Sequence, residues 1–102
     1  MKGTFLMALA LLISPSVYAA PTNQTCMAIY ESAFQAMEKR QSGFLVNTVA
    51  KTAKTELERS IVDGAYTVPR YTLRERRYSA SIQYANRWAN ECYERLERRA
   101  LD

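Results

Sequence analysis

The sequence predicts an all-α fold: a small three-helix domain whose long C-terminal helix is tied to the first helix by a Cys26–Cys92 disulfide. Three observations lead there. Apolar residues recur at the 3.6-residue helical period along three stretches, at about residues 24–41, 45–63 and 73–100. Gly43 and Gly64 stand where the first two stretches stop. The chain carries two cysteines, one in the first stretch and one in the last.

In the first stretch Cys26, Ile29, Tyr30, Ala33 and Met37 fall on one helical face, with Phe34 at its side. Thr22 and Asn23 are candidate N-caps, Lys39 and Arg40 suit the negative end of the helix dipole, and Gly43 suits the left-handed position after the last turn. The second helix carries a narrow stripe of Val46, Val49, Ala50, Ala53, Leu57 and Ile61, and Gly64 is expected to end it. Thr48, Thr52 and Thr55 are mediocre helix formers, which makes it the least self-sufficient of the three. A strand over residues 44–49 is the alternative, disfavoured because the apolar period continues past Ala50 unchanged. Residues 65–71 read as an extended connector, since Val68 precedes Pro69.

The last helix is opened by Thr72 and Glu75 in capping-box spacing. Its stripe holds Tyr78, Ile82, Ala85, Trp88, Ala89, Cys92, Tyr93, Leu96 and Ala100. A helix this long outreaches a small domain, so one end is expected to overhang, and a homodimer through the last helix is one way to bury it.

Residues 1–19 read as a signal peptide, with Lys2, an apolar run over residues 5–13, and Val17-Tyr18-Ala19 matching the small-x-small cleavage rule. The run is too short to span a bilayer, so no stable membrane insertion is expected after cleavage. About eighty residues remain, one domain over 20–102, with a core small enough to need a covalent staple. An even cysteine count in an exported chain reads as a disulfide and a periplasmic or secreted location. The bridge constrains topology. Cys26 lies in the first turn of the first helix and Cys92 roughly 30 Å along the last, so the two helices must run antiparallel or cross steeply.

Removal of the leader with Lys2 leaves 13 basic against 10 acidic residues, a net charge of +3. That is too modest to point to nucleic acid, and none is expected as a partner. The chain has no histidine, its two cysteines are taken by the bridge, and no glycine-rich phosphate loop is present. A non-enzymatic protein is expected, with no cofactor and no metal.

The densest functional candidate is the run from Pro69 to Tyr78, in which Arg70, Arg74, Arg76 and Arg77 interleave with Tyr71 and Tyr78. Arginine forks take carboxylates in bidentate fashion and tyrosines offer flat contact area. Three of these arginines also sit in the first turns of a helix, where the dipole disfavours cations, so local stability has no use for them there. Tyr84 and Trp88 form a second aromatic pair at the edge of the stripe, where core filling is the competing role. The expected function is binding of a partner protein in the cell envelope, as an accessory of a secretion or conjugation machine or an inhibitor or immunity-type protein would do. A periplasmic stress chaperone and a basic protein acting on membrane or nucleic acid are the alternatives.

Overall fold

A computed structural model describes residues 22–101. The expected signal peptide and its cleavage site lie outside them. Four helices make up the described chain: α1 (Asn23–Gln41), α2 (Val46–Ala50), α3 (Glu56–Ala65) and α4 (Arg74–Leu101). No strand occurs among these residues.

Helix α1 begins and ends as its residues dictate. The Thr22 hydroxyl accepts from the Thr25 amide at 3.1 Å and caps the first turn. At the other end Gly43 takes φ +92°, and the Gly43 and Phe44 amides donate back to the Arg40 and Lys39 carbonyls at 3.1 and 3.0 Å. This is a Schellman turn, which satisfies carbonyls that a helix end otherwise leaves bare. Cys26, Ile29, Ala33, Ala36, Met37 and Gln41 are buried along one stripe.

That stripe packs on α4, whose buried residues are Ser81, Tyr84, Ala85, Ala89 and Cys92. Ala33 and Ala36 on α1 and Ser81, Ala85 and Ala89 on α4 are small, so the two backbones can approach closely there. The helices run antiparallel: Cys26 is bonded to Cys92 with their Cα atoms 5.5 Å apart, and Gln41 at the far end of α1 meets Tyr71, just ahead of α4. The topology deduced from the cysteines is the one observed. At 1.5 Å per residue α4 outreaches α1 by roughly 13 Å, and beyond Cys92 every residue up to Leu101 except Leu96 is exposed. The buried face of α4 also sits to one side of the expected stripe: Tyr78, Tyr93 and Ala100 are exposed, whereas Ser81 and Tyr84 are buried.

The expected second helix is in fact two. After α2 the chain turns at Lys51 and Thr52, where the Thr52 hydroxyl donates to the Val49 carbonyl at 2.7 Å. It restarts at Thr55, whose hydroxyl accepts from the Glu58 amide at 3.1 Å, while the Glu58 carboxylate accepts from the Lys54 amide at 2.6 Å. Threonine hydroxyls offer the backbone partners that compete with a continuous helix, and here they win. The break leaves Val46 and Leu57 exposed, and α3 buries Ile61, Val62 and Ala65 against α1.

Two further local expectations are corrected. Gly64 is not a left-handed stop: it lies in the last turn of α3, which runs one residue further to Ala65. The Tyr84 hydroxyl, which donates to the Ile61 carbonyl at 2.6 Å, occupies the space a Cβ would need there. Nor does Thr72 open α4. The first backbone bond of that helix runs from the Arg77 amide to the Leu73 carbonyl at 3.0 Å, one residue later than a Thr72 cap requires.

Candidate functional site

The arginine and tyrosine run occupies the connector and the first turns of α4, and the connector is held in place by the last turn of α1. Gln41 is 2 % exposed, and both ends of its amide reach the connector, while Nε2 also donates to Met37 Sδ at 3.5 Å. Its Nε2 donates to the Pro69 carbonyl at 2.8 Å, and its Oε1 accepts from the Tyr71 amide at 2.8 Å. Arg40 Nε donates to the Val68 carbonyl at 2.9 Å, and the Arg40 guanidinium lies 5.2 Å from the centre of the Tyr66 ring. In return Arg70 Nε donates to the Gln41 carbonyl at 2.9 Å. The Arg70 guanidinium rests against Gly43, where a Cβ would come within 3.0 Å of it. The connector is therefore not an open extended strap. Tyr66, Thr67 and Val68 continue as turns off the end of α3, and the chain extends only from Pro69.

This clamp sorts the eight candidates. Arg70 is committed to the α1 turn. Arg76 lies over the Tyr71 ring at 4.8 Å, a cation–π pair that leaves both at the surface of a groove also lined by Pro69, Ser79 and Gln83. On the other side of the same helix Arg74, Arg77 and Tyr78 line a second groove with Glu38, Ser42 and Ser81. Tyr78 is 61 % exposed and meets Phe34 edge-on at 6.1 Å, and Phe34 in turn stacks on Tyr30 at 6.3 Å. So Tyr71 and Arg76 line one flank of the start of α4, and Arg74, Arg77 and Tyr78 line the other.

Tyr84 and Trp88 do not join them. Tyr84 is 3 % exposed and carries the hydroxyl bond to α3, with the Arg87 guanidinium 5.8 Å from its ring centre. Burial pushes its phenol above the ordinary tyrosine value. Trp88 is half-buried and packs on the core. Both belong to the joint between α4 and α3.

The residues that sequence reasoning passed over are Gln41, Arg40 and Tyr66. Tyr66 is also raised above the ordinary value by burial, against the lowering effect of Arg40, and its hydroxyl donates to the Phe44 carbonyl at 2.7 Å. A glutamine in a last helical turn gives no local sign that a distant loop will return to it.

What the arrangement can do chemically follows from its donors. It offers guanidinium groups beside flat phenol rings, suited to carboxylates on another molecule's surface. Among the described residues no helix is long and apolar enough to cross a membrane. Compared with known protein families, with curated proteins and with solved structures, the chain matches none.

Proposed function

We propose that this chain is a non-enzymatic, exported binding protein that docks an acidic partner protein of the cell envelope through the start of α4. The observation that carries the reading is the set of Tyr71, Arg74, Arg76, Arg77 and Tyr78 around the start of α4, with Arg74, Arg76 and Tyr78 exposed and Tyr71 and Arg77 half-buried, next to a connector that is clamped to α1. Three arginines at the positive end of a helix dipole lower local stability, and Glu75 is the sole acid in that turn. Binding gives them a use. Export is supported by the signal-peptide pattern of residues 1–19 together with the Cys26–Cys92 bridge, which persists in an oxidising compartment such as the periplasm.

The test is affinity capture with crosslinking from the native envelope, comparing the natural protein with the triple variant Arg74→Glu, Arg76→Glu, Arg77→Glu. The reading expects the partner to be lost from the variant while the melting temperature is unchanged. Equal capture by both would overturn it.

A further inference from the structure

We propose a second binding surface, which adjoins the one above and shares Arg74 with it: the end of the molecule where α1 turns into α2 is a tip that seats on an anionic lipid surface. Three consecutive large apolar side chains are exposed there, Phe44 at 48 %, Leu45 at 74 % and Val46 at 38 %. Leu73, 59 % exposed, precedes α4 at the same end. The shared location follows from three contacts: the Arg70 guanidinium lies against Gly43, the Tyr66 hydroxyl holds the Phe44 carbonyl, and Ser42 shares a groove with Arg74.

The exposure is built in. The Schellman turn at Gly43 fixes the direction in which the chain leaves α1, and the bonds from Tyr66 to Phe44 and from Arg70 to Gln41 hold that turn from two sides. Burial of these side chains needs a second surface rather than a local collapse, and exposed apolar groups of this size have a driving force to find one.

Charge decides what that surface is. Arg74 is exposed at this end, and Arg70 is exposed there while its Nε bonds the Gln41 carbonyl. Lys39 lies half-buried one turn back on α1 beside Arg40, which the Val68 carbonyl and the Tyr66 ring engage. The acids nearby are Glu38, across the groove from Arg74, and Glu75 in the first turn of α4. Cations so placed beside exposed leucine and phenylalanine match the two attractions of a peripheral anchor, apolar insertion to the acyl boundary and arginine to lipid phosphate. The tip rests on the bilayer without spanning it.

The test uses the purified, oxidised protein with vesicles of phosphatidylcholine alone or mixed with phosphatidylglycerol, and the variant Leu45→Asp, Leu73→Asp. Co-sedimentation with the mixed vesicles is expected to exceed that with phosphatidylcholine by about tenfold or more, to fall with added salt, and to be lost in the variant. Both proteins share the same N-terminus, so any contribution of residues 1–19 cancels in the comparison. An unchanged melting temperature in the variant shows that the fold is intact, as expected for two exposed positions. Equal sedimentation of variant and natural protein overturns the proposal, as does failure of the natural protein to bind the anionic vesicles. Loss of envelope-partner capture in this variant without lipid binding would assign the tip to a protein and overturn it too. Capture that survives in Leu45→Asp, Leu73→Asp but fails in the arginine triple variant keeps the two surfaces distinct.

Discussion

At one end of the α1–α4 pair a covalent bond joins Cys26 to Cys92; at the other, four hydrogen bonds, donated by Arg40, Gln41, Arg70 and the Tyr71 amide, fasten the connector to the last turn of α1. The first end is apolar and closed, with both cysteines at 0 % exposure. The second is polar, and its central side chain is a glutamine. A bridge of this kind acts mainly on the unfolded chain, by shortening the loop it can explore. The clamp acts on the folded state alone, because removing Gln41 strands groups that are paired in the fold. The bridge fixes that the helices are antiparallel, and the clamp fixes where α4 starts and therefore which arginines face outward.

The sharpest way to break the comparison is to open the bridge. The pair Cys26→Ala, Cys92→Ala is expected to lose about 4 kcal/mol, given the 66-residue separation. Denaturant unfolding under non-reducing conditions checks this, and a loss under about 1 kcal/mol would mean that the bridge adds little to the fold. Opening the clamp comes next. Gln41→Ala leaves the Pro69 carbonyl and the Tyr71 amide without their partner, at a cost of about 3 kcal/mol, with the disulfide still intact. The same unfolding assay applies.

A smaller effect concerns the joint between α3 and α4. Gly64→Ala would force a methyl group onto the Tyr84 hydroxyl and is expected to cost about 2 kcal/mol. In a Tyr84→Phe background the overlap is gone, and the alanine should instead stabilise the helix by up to about 1 kcal/mol. This reversal of sign, read from a double-mutant cycle, separates a steric role for Gly64 from a helix-ending one. The least effect is set by pH. Burial raises the Tyr84 phenol above its ordinary value of 10.0, so the neutral form is the one the fold favours. The stability this contributes is complete below about pH 10 and drains away as pH climbs through the raised folded value. Melting temperature against pH should therefore fall more steeply on the alkaline side in the natural protein than in Tyr84→Phe.

Much of this frame was legible in the chain itself. The α1 stripe needs only the 3.6-residue period, and the two cysteines limit the first and last helices to an antiparallel run or a steep crossing. The split of the second helix was readable in part, since Thr55 and Glu58 stand in capping spacing. It was masked because Val49, Ala53, Leu57 and Ile61 keep the apolar period running across the break. Gly64 looked like a helix stop because its reason for being glycine, the Tyr84 hydroxyl, lies on another helix. Tyr84 itself looked like an edge residue because the stripe was centred on Cys92, whereas the buried face leans toward Ser81. Gln41 was invisible: its two partners lie 28 and 30 residues away, and no pattern of polarity announces a side-chain amide that will pair with a returning backbone.

The central claim, that Gln41 rivets the connector and so sets the start of α4, is tested most directly at one backbone proton. Tyr71 lies outside every helix, yet its amide donates to the Gln41 side chain at 2.8 Å. In native-state hydrogen exchange it should be protected like the amides of α4 and should become fast in Gln41→Ala with the disulfide still closed. A Tyr71 amide that exchanges at the rate of an open loop in the natural protein would contradict the account.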